Sequence, residues 1–72
     1  MPRPTGRDTQ RALERLGWVV VAQKGSQAQL KHPRRGGRVT IPLHAGETLG
    51  RGLIASILEQ AGLTADEFRA AL

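Results

Sequence analysis

Lys24, Lys31, Arg34, Arg35 and Arg38 crowd the middle of the chain, and no acid falls anywhere between residues 18 and 44. Gly25, Ser26, Gln27 and Gln29 lie among them. Such a cluster suits phosphate: ammonium and guanidinium groups neutralise a nucleic-acid backbone whatever its base sequence. Gly25 and Ser26 can add backbone N–H groups to a phosphate site, although a tight turn needs the same two residues and is the plainer reading. His32 and His44 are the two histidines, the side-chain type that titrates near neutral pH. His44 lies in "PLHAG", where it can bind phosphate or help protonate a leaving group; a loop histidine that only caps backbone groups is an equal alternative. The two histidines fall on separate elements without a clear carboxylate partner, and the chain has no cysteine. No metal or other cofactor is expected.

The whole chain carries a net charge of +5. Residues 1–17 hold Arg3, Arg7, Arg11 and Arg15 against Asp8 and Glu14. Residues 45–72 hold Arg51 and Arg69 against four acids, Glu47, Glu59, Asp66 and Glu67. The excess is therefore in the first two thirds, and RNA or DNA is the partner that suits it best. A merely solvated charged face is the plain alternative. No stretch is long or apolar enough for a transmembrane helix, and "MPRPTGRD" lacks the apolar core of a signal peptide. A cytoplasmic location, away from membranes, is the expectation.

At 72 residues one domain is expected, spanning 1–72 with 1–4 a loose lead-in. Thr5 and Asp8 form a capping-box pattern for a helix over about 6–16, with Ala12, Leu13 and Leu16 on its apolar side. "WVVVAQK" reads as a strand, Gly25-Ser26 as a type II′ turn, and 27–32 as a second strand. Pro33 to Gly36 reads as a four-residue turn before a third strand over 38–41. A helix over about 50–61 presents Leu53, Ile54, Ile57, Leu58 and Ala61. Thr64 and Glu67 cap a short last helix, with Leu63 and Phe68 spaced as a staple and Leu72 on the inner side.

These turns set a register. The first pairs Lys24 with Gln27, Val21 with Leu30 and Val19 with His32. The second pairs Leu30 with Val39 and Ala28 with Ile41. Val19, Val21, Ala28, Leu30, Val39 and Ile41 then share a core face. Lys24, Gln27, Gln29, Lys31, Arg38 and Thr40 take the other face, beside Trp18, Val20 and Ala22. Lys31 falls opposite Arg38, a repulsion that a phosphate between them, or simple splaying into water, can relieve. His32 points inward and reads as structural. Trp18 can stack on a base, but suits a core position better. The resulting class is α+β, in the order α-β-β-β-α-α: a three-stranded antiparallel sheet with helices on one face, close to the layout of double-stranded-RNA-binding domains.

"ALERLGWVVVAQKGSQAQLKHP" and "RVTIPLHAGETLGRGLIASILEQAGLTADEF" resemble HicA-type toxins over roughly residues 7–68. The shared order is a helix ending near "LxxxGW", a strand, a Gly-Ser or Gly-Thr followed by histidine, a basic strand, a "P-x-H" loop and a helix ending near "AGL". The resemblance implies a metal-independent endoribonuclease that cleaves mRNA and so inhibits translation and growth. It also implies a HicB-type antitoxin that covers the basic face and forms an oligomer with the toxin. The histidine after the Gly-Ser is the family's catalytic residue, and Gln27 stands there. Glutamine cannot exchange a proton near neutral pH, so this form is expected to be inactive. Two origins fit: an introduced inactivating change, which the intact surroundings of position 27 favour, or a degenerate natural toxin. Lys24, Gly25, Ser26, Gln29, Lys31, Arg34, Arg35, Arg38 and His44 are the expected RNA contacts. A non-catalytic RNA-binding module is the alternative function, and a purely protein-binding domain a third.

Overall fold

The computed structural model describes residues 3–72. Thr5 opens the first helix, α1 (Gly6–Arg15). Its hydroxyl accepts the Asp8 N–H at 3.1 Å, and the Asp8 carboxylate accepts the Thr5 N–H at 3.0 Å. Two of the orphan donors at the helix start are thereby satisfied reciprocally, as a capping box requires. Within the lead-in, Met1 and Pro2 lie outside the described residues. Pro4 is tied down, its carbonyl accepting the Leu49 N–H at 2.8 Å.

The end of α1 sets the direction of everything after it. The Trp18 N–H reaches the Leu13 carbonyl at 3.0 Å, and the Gly17 N–H reaches that of Glu14 at 3.1 Å. Gly17 has φ +96°, the left-handed conformation that a Schellman ending needs and that glycine adopts without steric cost. The motif's apolar contact is present as well, since Leu13 and Trp18 are both in the core. "LERLGW" and "LEQAGL" are the same device used twice. The second helix, α2 (Arg51–Ala61), ends with Leu63 bonded to Leu58 at 2.9 Å and Gly62 to Glu59 at 3.2 Å.

Between these helices run β1 (Val19–Lys24), β2 (Gln27–His32) and β3 (Arg35–Pro42), antiparallel in the order β1-β2-β3. Gly25 has φ +57°, and no non-glycine residue among those described has positive φ, as a type II′ turn at Gly25-Ser26 demands. Lys24↔Gln27, Leu30↔Val39 and Ala28↔Ile41 pair as the turns predict.

The outer half of β1 departs from the predicted register. A bulge between Val20 and Ala22 pairs Val20 with Leu30 and Val19 with Lys31. Val19 and Val21, expected in the core, are instead exposed. Val20 packs against the core and Trp18 is buried at 2 % exposure. The physical reason is area: an inward tryptophan buries about 150–250 Å², far more than a valine, and one extra residue in the strand brings it to that face. β3 also begins at Arg35, earlier than predicted, because Gly36 and Gly37 continue the strand past a second irregularity between Leu30 and His32.

Leu13, Leu30, Val39, Ile41 and Ile57 are fully buried between sheet and helices, each contributing roughly 1.5–3 kcal/mol of burial. The last helix, α3 (Ala65–Ala71), has a Thr64–Glu67 capping box and buries Phe68, with Leu63 packed beside the same core. Leu53 and Leu72, predicted to face inward, are 40 % and 47 % exposed. Leu53 lies in the first turn of α2 and Leu72 at the end of the described chain, both at the margin of the packed layer. Thr9 is the buried polar residue, and its hydroxyl donates to the Thr5 carbonyl at 2.9 Å.

Candidate nucleic-acid interface

Strand alternation sends Ala28 and Leu30 into the core, so Gln27, Gln29 and Lys31 emerge on the helix-free face of β2. Lys24 joins Gln27 from β1, and Thr40 joins Gln29 from β3. Gln27, Lys24 and Lys31 are exposed and Gln29 is half-buried. Arg38 does not stand opposite Lys31. The irregularity after Leu30 removes that pairing, and the Arg38 guanidinium donates to Gln29 Oε1 at 2.8 Å. The expected like-charge clash is thus absent.

Gln27 is the first residue out of the hairpin and pairs with Pro42. The next residue, Leu43, donates its N–H to the Ser26 carbonyl. This bond carries the chain to His44 beside the hairpin end. His44 is exposed, and its carbonyl accepts the Glu47 N–H at 3.1 Å in a turn. Gly25 faces open space, where an added Cβ would meet nothing within 4 Å.

Two residues of this region make contacts within the protein. Arg35, expected among the RNA contacts, turns to the helix layer and donates to the carbonyls of Ala61 at 2.9 Å and Gly62 at 3.1 Å. A guanidinium there satisfies carbonyls at the C-terminus of α2 and complements its dipole. His32 packs edge-on against Trp18, with ring centroids 5.4 Å apart. Its Nδ1 accepts the Arg34 N–H at 3.0 Å, and a Cβ on Gly17 would lie 2.7 Å from its Nε2. His32 is therefore structural, and the buried Trp18 is unavailable for base stacking.

The interface is electrostatically open. Among the described residues the one ion pair is Arg69–Asp66, on α3, so no carboxylate pairs with Lys24, Lys31, Arg34 or Arg38. A shallow depression of about 350 Å³ lies at the β1 end, lined by Val19, Val21, Lys31, His32 and Pro33. It could not be read from the sequence because the bulge creates it. Among the described residues no group of three or more His, Cys, Asp or Glu is placed to hold a metal, and no helix is long and apolar enough to cross a membrane.

A three-stranded sheet with helices on one side and cations on the other defines a small α+β domain of the double-stranded-RNA-binding type. The family model described as HicA toxin of bacterial toxin-antitoxin matches residues 6–63. The chain belongs to the HicA toxin family, a family of mRNA interferases that act as the toxin of a toxin–antitoxin system. Membership implies a HicB antitoxin as partner. No curated protein matches the chain.

Proposed function

We propose that this chain is a HicA-type, RNA-directed toxin whose catalytic position is filled by Gln27, so that it binds mRNA but cleaves it negligibly. The observation that carries this reading is the place of Gln27. It is exposed at the hairpin exit, opposite Lys24, on a face whose cations have no acidic partner among the described residues.

Cleavage of RNA without a metal forms a bond from the 2′-oxygen to phosphorus and breaks the bond to the 5′-oxygen. A base takes the 2′-hydroxyl proton and an acid supplies one to the leaving oxygen. Imidazole can do either near neutral pH. The glutamine amide can hold a phosphate oxygen but can neither take nor give a proton there. Lys24, Lys31, Arg34 and Arg38 position the backbone, with Gly25, Ser26, Gln29 and His44 at its margin. A HicB-type antitoxin covers this basic face in an oligomeric complex. Gln27→His is the test: an RNase assay with chelator present should show cleavage only in the histidine form.

A further inference from the structure

Arg7, Arg11 and Arg15 follow one another at intervals of four along α1, and Arg3 precedes them at the same interval just ahead of the helix. Residues four apart are neighbours on a helix surface, so like charges at this spacing oppose helix formation. All four arginines are exposed. Neither carboxylate of the segment forms an ion pair with them, although Arg11 acts on Asp8 through space. Asp8 is engaged by the Thr5 N–H, and Glu14 accepts from Gln10. Arg15 is held at one end of the stripe by the Ala71 carbonyl, at 2.6 Å. Along the helix, Arg7, Arg11 and Arg15 are set ~6 Å apart in backbone rise, four residues at a time.

The stripe begins where the candidate interface ends. Gly6, the first residue of α1, lies so close to β3 that an added Cβ would come within 2.0 Å of the Pro42 carbonyl oxygen. Pro42 is the residue paired with Gln27. The start of α1, with Arg3 and Arg7, therefore shares one end of the molecule with Gln27 and His44. Among the described residues the exposed large hydrophobic ones are Val19, Val21, Leu53 and Leu72, none of them on α1. Protein interfaces centre on apolar and aromatic residues, with single arginines enriched among them and Lys, Glu and Asp depleted. Arg15 lies near the exposed Leu72 through its bond to Ala71, but a regular row of guanidinium groups on a helix with no exposed large hydrophobic residue of its own fits a phosphate backbone.

We propose that the arginine stripe of α1 is a second RNA-backbone surface, continuous round this end of the molecule with the face that carries Gln27. The inference rests on the reading of RNA as the ligand and adds that the protein holds a strand well beyond position 27. The test uses the protein with Gln27 in place, titrated with a labelled single-stranded RNA long enough to reach both surfaces, over a series of salt concentrations. Arg7→Gln combined with Arg11→Gln should lower the slope of log K against log salt by about 1.4, at about 0.7 per phosphate contact on a single strand. Arg7→Lys with Arg11→Lys should retain the slope. Lys24→Gln with Lys31→Gln reports on the sheet face separately. An unchanged slope in the Arg7/Arg11 glutamine variant, beside a reduced slope in the Lys24/Lys31 variant, overturns the stripe and leaves the proposed function standing. Loss of antitoxin binding with RNA binding intact overturns it too, by assigning the stripe to protein. If the starting protein fails to bind RNA, the stripe and the binding half of the proposed function both fall, while cleavage by the Gln27→His form still judges the assignment of position 27.

Discussion

The His32 ring meets Trp18 edge-on, 5.4 Å between centroids with the planes at 67°. This contact fixes one of the two histidines as part of the framework. His32→Ala is expected to destabilise the domain by about 0.5–1.5 kcal/mol through the lost ring pair, and Trp18→Ala by about 3–5 kcal/mol. Urea unfolding followed by circular dichroism checks both. Neither the sheet-face cations nor the salt dependence of RNA binding should change in the His32 variant.

Gly6→Ala has an unusual expected sign. On an exposed helix that change stabilises by about 0.8–1.0 kcal/mol through propensity. Here the new Cβ would lie 2.0 Å from the Pro42 carbonyl oxygen, so helix and strand must move apart, a change that costs about 1–3 kcal/mol. The measured unfolding midpoint should fall.

Both capping boxes make stability depend on acid. The Thr5 N–H and then the Thr5 hydroxyl contact hold the Asp8 carboxyl below its ordinary 3.8, and the Thr64 groups hold Glu67 below its ordinary 4.5 in the same way. A depressed carboxylate contributes stability that is fully present above its unfolded pKa and lost as pH falls through its folded value. The loss should therefore begin below about pH 4.5 for Glu67 and below about pH 3.8 for Asp8. Asp8→Asn combined with Glu67→Gln should flatten the pH dependence of the melting temperature in that range. Thr5→Ala should cost about 0.5–2 kcal/mol at neutral pH.

Arg35 and Lys31 carry opposite expectations for stability and for RNA binding. Arg35→Ala removes the bonds to the Ala61 and Gly62 carbonyls and should lower stability by about 0.3–1 kcal/mol, leaving the salt slope of RNA binding unaltered. Lys31→Ala should lower that slope by about 0.7 with little effect on unfolding.

The features legible in the sequence are the local ones. Thr5 with Asp8, Thr64 with Glu67, and Gly25-Ser26 each satisfy backbone groups within a few residues, so their residue types alone reveal them. The β2–β3 register was readable because Leu30 with Val39 and Ala28 with Ile41 agree in apolar alternation. The β1 bulge was not, because "WVVV" is apolar on both alternations and only packing against Leu13 decides that Trp18 and Val20 turn inward. The bonds of Arg35 were not legible for a similar reason: the acceptors lie 26 and 27 residues away at the C-terminal end of α2, and nothing near it in sequence announces them. Gln27 could be placed on the open face from the turn alone. That a histidine is expected at this position is what the resemblance of the surrounding stretches to HicA-type toxins implies.

The most direct test compares Gln27 and Gln27→His proteins on one mRNA, with chelator present, alongside growth of cells producing each. The histidine form is expected to cut the RNA and slow growth, with a rate gain of about 10²–10⁴-fold from restored proton transfer, while the glutamine form binds and leaves the RNA whole. Equal cleavage by both forms, or none by the histidine form with growth unaffected, would contradict the assignment of position 27 as the catalytic site.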